Sequence, residues 1–108
     1  MGRRDDLVFG ALADAVRRRL LDRLFARNGQ TLGGLCARMG MTRQAVSKHL
    51  AVLERANLVA THWRGREKLH YLNPVPVHGI YARWIAKYER HRLDELHELK
   101  ERLEGPAR

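Results

Sequence analysis

Thr42-Arg43-Gln44-Ala45-Val46-Ser47-Lys48-His49-Leu50 is the stretch whose reading decides the fold of this chain. At helical spacing Ala45, Val46, Leu50 and Leu53 gather on one side, and Arg43, Gln44, Ser47 and Lys48 on the other. The first side suits a core. The second presents guanidinium, amide, hydroxyl and ammonium groups of the kinds that meet base edges and phosphates. A helix divided in this way is expected to read a DNA groove.

The residues upstream agree. Thr31 can cap a short apolar segment, Leu32 to Met39, that stops at Gly40, where a glycine suits the positive φ that ends a helix. Thr42 then has the hydroxyl to cap the next helix, expected over residues 42–55. Helix, tight turn and second helix make a helix-turn-helix unit, in which the second element enters the major groove. The plainer alternative is a pair of bundle helices whose polar face is merely solvated. Charge favours the first reading.

The chain has 108 residues, with 21 Lys and Arg against 12 Asp and Glu for a net charge of +9. Its pI of about 10.8 is in the range of nucleic-acid-binding domains. The length suits a single domain over residues 1–108. Cys36 is the one cysteine, which excludes an internal disulfide and points to a reducing, cytoplasmic setting. No apolar run approaches the roughly 20 residues needed to cross a bilayer, and no secretory signal is visible, so a membrane role is not expected.

Before the helix-turn-helix, Leu7, Val8, Ala11 and Leu12 and then Val16, Leu20, Leu21, Leu24 and Phe25 follow helical spacing. They predict two helices meeting near residues 13–15, with Asp14 as N-cap and Asn28-Gly29 as terminator. Arg17-Arg18-Arg19 falls on the second of these and reads as a solvated face, with phosphate contact as the alternative. After the reading helix, Asn57 suits a left-handed end, and residues 58–63 and 68–72 have strand composition around Arg64-Gly65-Arg66. This hairpin, residues 58–72, is a wing, with Arg64, Arg66 and Lys68 near its tip for phosphate or minor-groove contact.

From Pro76 to Glu104 the pattern predicts one long helix that would span roughly 40 Å. Tyr81, Trp84, Ile85 and Tyr88, followed by Leu96, Leu99 and Leu103, form an apolar stripe too long for a small domain to cover. A second copy of the chain would cover it, with Leu7 joining the interface, so a homodimer is expected. The predicted fold is mainly α with a small β-hairpin, a winged helix-turn-helix dimerising through terminal helices.

The residues Ala11-Leu12-Ala13-Asp14, Arg17-Arg18-Arg19-Leu20-Leu21, Gln44-Ala45-Val46-Ser47-Lys48-His49-Leu50, Leu53 and Leu58-Val59 resemble the ArsR-type winged-helix repressors. The resemblance covers residues 7–73, and Ala15 departs from a proline common in that family. It implies a dimeric transcriptional repressor that binds an imperfect palindrome of double-stranded DNA and releases it on meeting an inducer. Arsenic sensors of the family carry a Cys-X-Cys pair where this chain has Thr31 and Gly33. Another of the family's metal sites uses Asp and His of the last helix. Here His91, Asp94, His97 and Glu101 stand in a different order. The segments Trp84 to Arg90 and Arg92 to Leu96 are similar to the tail of members without a recognisable metal site. No metal site and no cofactor are therefore expected, a metal-responsive repressor remains an alternative, and no residue names the inducer.

Within the reading helix Gln44 is the expected base reader, since its amide can pair with adenine, and Arg43 can reach guanine or phosphate. Thr42, Ser47, Lys48 and His49 are expected at the backbone or in docking. An enzyme is not expected, because there is no nucleophile elbow, phosphate-binding glycine loop or carboxylate pair. A protein-interaction module built on a winged helix is the other alternative.

Overall fold

The computed structural model describes residues 2–105, which form two compact units, one running through Val77 and one starting at His78. The first holds four helices and a hairpin in the order α1 (Arg3–Leu12), α2 (Ala15–Ala26), α3 (Leu32–Met39), α4 (Arg43–Arg55), β1 (Val59–Arg64) and β2 (Glu67–Leu72). It is mainly helical with one antiparallel hairpin, as the sequence predicts.

Short polar side chains set the helix boundaries. Asp14 Oδ1 accepts from the N–H of Val16 at 2.8 Å and of Arg17 at 3.1 Å, which starts α2 directly after α1. Thr31 Oγ1 accepts from Gly34 N at 3.1 Å, and Thr42 Oγ1 from Ala45 N at 3.2 Å. Gly40 ends α3 with φ of 64°, a left-handed conformation in which a side chain would be strained. Helix α4 closes through a Schellman motif, with Leu58 N–H bonded to Leu53 O, Asn57 N–H to Glu54 O and Asn57 at φ 62°. Thus the turn before α4 and the turn after it are both fixed by local chemistry.

Leu20, Leu24, Leu35, Val46, Leu53 and Leu58 form the centre of the core, each fully buried. They come from three helices, α2, α3 and α4, and from the turn between α4 and β1, so one apolar cluster fixes the angle at which α4 leaves the others. The hairpin pairs Val59 with Leu72 through Arg64 with Glu67, and Gly65-Arg66 makes a two-residue turn. Gly65 has φ of 61°, the positive angle at the first central position that a type II′ turn uses. Its base is anchored: Asn73 N–H bonds to Leu58 O at 2.8 Å, and Leu72 N–H to Asn28 Oδ1 at 2.7 Å.

A further strand contact joins the hairpin to the α2–α3 link. Gln30 and His70 exchange backbone hydrogen bonds of 2.8 and 3.3 Å, and both are buried. The Gln30 amide donates to Arg23 O and Arg27 O, closing the end of α2, while His70 Nδ1 lies 2.9 Å from Gln30 O. Among the described residues no fully buried side-chain nitrogen or oxygen lacks a hydrogen-bond partner.

The C-terminal segment starts as α5 (Val75–Ile80), with Pro76 in the first turn, where its missing N–H costs no bond. In place of the continuous α-helix expected over 76–104, Tyr81–Ile85 is π-helical, with Ala86 N–H reaching back to Tyr81 O, and α6 (Ala86–Glu104) follows. A π-turn inserts a residue, so the apolar positions before and after it fall out of helical phase. Around it Tyr81 Oη donates to Glu89 Oε2 at 2.7 Å, and Trp84 and Tyr88 meet edge to face with centroids 5.7 Å apart. Hydrogen bonding to the Glu89 carboxylate, and its charge, raise the Tyr81 pKa. No residue of α6 is buried within the single chain.

Candidate nucleic-acid interface

Helix α4 turns Val46, Leu50 and Leu53 into the core and leaves Arg43, Gln44, Ser47 and Lys48 exposed on the opposite side. Gln44, Ser47, Lys48 and Ala51 share one shallow surface with Arg43 and Leu32. Arg43 also leans toward the start of α3: a Cβ placed on Gly33 would lie 3.5 Å from its Nη1. At that distance a Cβ would only touch the guanidinium, so the approach of Arg43 to the first turn of α3 does not depend on the glycine. Thr42 has its hydroxyl committed to the cap and stands exposed at the entrance of α4.

His49 is placed differently from its neighbours. It is half-buried, and its Nδ1 lies 3.4 Å from Arg17 Nη1. Arg17 in turn donates from Nε to Ala11 O at 2.8 Å and from Nη2 to Gly10 O at 3.1 Å, and Arg18 Nη1 donates to Leu12 O at 2.6 Å. Two arginines of the run read as a solvated face thus close the last turn of α1, where carbonyls lack helical partners. The backbone N–H of Arg17, with lesser help from that of Val16 and from the Arg17 and His49 side chains, holds the Asp14 carboxyl below its ordinary 3.8 against a burial effect that raises it. His49 and Arg17 connect α4 to the α1–α2 corner.

Between α4 and the wing lies a cleft of about 530 Å³ lined by Arg43, Ser47, Glu54, Trp63, Arg66 and Lys68, among others. Trp63 is 62% exposed and stands directly across the hairpin from Lys68. Arg64 and Arg66 are exposed, and Arg64 reaches Glu67 only at 4.0 Å, a loose surface pair. Lys68 Nζ instead sits 3.5 Å from Glu54 Oε1, across from the hairpin to α4. Glu54, Arg17 and the Gln30–His70 pair are the residues of this region that sequence reasoning missed. Each acts through a partner far away in the chain, although a lone acid on an otherwise basic helix was a visible signal for Glu54.

Comparison with known proteins places this geometry. A helix-turn-helix domain family matches residues 12–62. The uncharacterized HTH-type transcriptional regulator YuzN of Bacillus subtilis is 40% identical over 86 residues, covering 74% of this chain and 94% of that protein. An ArsR family transcriptional regulator of known structure is 32% identical with a TM-score of 0.68, covering 85% of this chain and 91% of the other. The chain belongs to the ArsR family of helix-turn-helix regulators. An ArsR-like regulator from Rhodococcus sp. RHA1 superposes with a TM-score of 0.74 at 29% identity, over 94% of this chain and 91% of that one. The transcriptional repressor SdpR of Bacillus subtilis is 30% identical over 66 residues, 61% of this chain and 72% of its own length.

As a member of this family the protein is a DNA-binding transcriptional regulator, and both its relatives and its fold are those of regulators rather than enzymes. Thr31 and Gly33 occupy the start of α3, and the Cys36 thiol lies half-buried on that helix. On α6, His91 Nε2 pairs with Glu95 at 3.0 Å and His97 Nε2 with Glu101 at 3.3 Å. Among the described residues no group of three or more His, Cys, Asp or Glu is placed to hold a metal ion. Nor is any of the described helices long and apolar enough to cross a membrane.

Proposed function

We propose that this ArsR-family regulator represses transcription as a homodimer, with α4 of each protomer in a major groove of a palindromic operator. The observation that carries the reading is the division of α4, whose buried side fixes it in the core while Gln44, Ser47 and Lys48 stay exposed. In this arrangement Gln44 reads adenine by its amide, Arg43 reaches guanine or phosphate, and Ser47 and Lys48 fix the helix on the backbone. Thr42 holds the end of α4 that enters the groove, and Arg64 and Arg66 follow the flanking backbone from the wing. His49 acts by docking α4 on Arg17.

Repression is supported by the likeness to SdpR, itself a transcriptional repressor. The homodimer is supported by the second unit, where Tyr81, Trp84, Ile85, Tyr88, Leu96, Leu99 and Leu103 all stand exposed in the single chain, as does Leu7 on α1. Partner copies of such a surface would bury it and set two reading helices one DNA turn apart, about 34–36 Å.

The test is an anisotropy titration of the purified protein on labelled duplex from the region upstream of its own gene, with random-sequence duplex as competitor at fixed salt. Binding that survives excess competitor is the expected result. Displacement by random duplex as readily as by the unlabelled upstream duplex would overturn the operator reading.

A further inference from the structure

Helix α4 carries a single acid among its thirteen residues, Glu54, in the last turn. A carboxylate is least favoured there, because the carbonyl end of the helix is itself negative. Helix stability therefore does not account for it. Arg43, Ser47, Leu50 and Glu54 follow one another at spacings of three and four, so Glu54 shares the side of α4 that borders the cleft toward the wing. The Lys68 ammonium meets it there at 3.5 Å, with the two side chains 40% and 31% exposed.

We infer that Glu54 withholds Lys68 from the DNA backbone and so limits the protein's sequence-independent affinity. This rests on the reading of α4 and the wing as the DNA-facing surface. On that surface an unpaired carboxylate would face phosphates. If Lys68 left Glu54 for a phosphate, it would expose that charge to the duplex, and the exchange would gain little. Paired, the two groups cancel, and the cations that the wing still offers to DNA are Arg66 and Arg64, the latter loosely paired with Glu67. A regulator already at +9 gains from such a limit, since each further cation on phosphate strengthens binding to every sequence alike.

The chemistry predicts a change in salt dependence. Neutralising Glu54 leaves the Lys68 ammonium without its partner, free to neutralise one more phosphate and release one more condensed counterion. The plot of log affinity against log salt should then steepen by about 0.9 for each protomer bound. The experiment titrates a fluorescein-labelled random-sequence duplex with wild type, Glu54→Gln, the double variant Glu54→Gln with Lys68→Gln, and Lys48→Ala, from about 50 to 200 mM salt. Glu54→Gln should bind more tightly at the low-salt end with the steeper slope, and the double variant should return to the wild-type slope. Glu54→Ala, also a good helix former, serves if the first variant folds poorly. An unchanged or flatter slope in Glu54→Gln, or a steeper slope that persists in the double variant, would overturn the inference. Lys48→Ala separates the two levels. A slope flattened by about 0.9 upholds α4 as the DNA face whatever Glu54 does, whereas an unchanged slope places the fault in that reading itself.

Discussion

Residues 1–77 carry fourteen Lys and Arg against six Asp and Glu, a net charge of +8, whereas residues 78–108 carry seven against six, a net charge of +1. Apolar side chains divide in the opposite sense. The first unit buries Leu20, Leu24, Leu35, Leu53 and Leu58 completely, while α6 buries nothing and leaves Leu93, Leu96, Leu99 and Leu103 in water. One unit thus has a core of its own, with Leu7 and Phe25 left exposed, and is electrostatically suited to a polyanion. The other is almost neutral, with an apolar surface suited to protein. Helix-turn-helix chemistry needs the first property, and assembly of two reading heads needs the second.

The largest effect that could break this comparison lies in the second unit. Replacing Leu96 and Leu99 together by Asp should convert a dimer to a monomer in analytical ultracentrifugation. It should also weaken binding to a duplex with two half-sites by about 10²–10⁴, since the two heads no longer bind as one. A variant that still sediments as the wild type does would remove the assembly role from α6. Next in size, Leu53→Ala in the first unit should cost about 2–5 kcal/mol in denaturant unfolding, because a fully buried side chain at the junction of α4 and the core leaves a cavity. Leu103→Ala, at 78% exposure, should leave the unfolding of the first unit unchanged.

The smallest expected effect is one of pH. Asp14 is held below its ordinary pKa in the folded chain, so its contribution to stability is present above the ordinary carboxylate value and lost as pH falls through the folded one. Asn keeps an N-cap acceptor without titrating. Wild type should therefore exceed Asp14→Asn in stability at neutral pH, and the two should converge in acid. A gap that stays constant down to acid pH would show that the carboxylate charge is not what stabilises the start of α2.

Much of the first unit was legible in the sequence because its signals are local. Asp14, Thr31, Gly40, Thr42 and Asn57 each act within a few residues of the boundary they set, and each stands where its residue type requires. What stayed hidden depends on distant partners. Gln30 meets His70 forty positions away, and Arg17 meets His49 across thirty-two, so neither pairing leaves a periodic trace. For the same reason Lys68 reads as a free cation on the wing until the fold brings it beside Glu54. In the second unit the apolar residues were readable, but the π-turn at Tyr81–Ile85 was not, since its composition is compatible with an ordinary helix.

The most direct test of the central claim, that α4 reads sequence while the surrounding charge holds the backbone, is selection of duplexes from a random pool by wild type, Gln44→Ala and Lys48→Ala. Wild type should enrich two symmetric half-sites with centres about 34–36 Å apart. Gln44→Ala should shift the preferred bases within each half-site, and Lys48→Ala should keep the same sequence at weaker binding throughout. Enrichment of no sequence by wild type, or of an unaltered sequence by Gln44→Ala, would contradict the account.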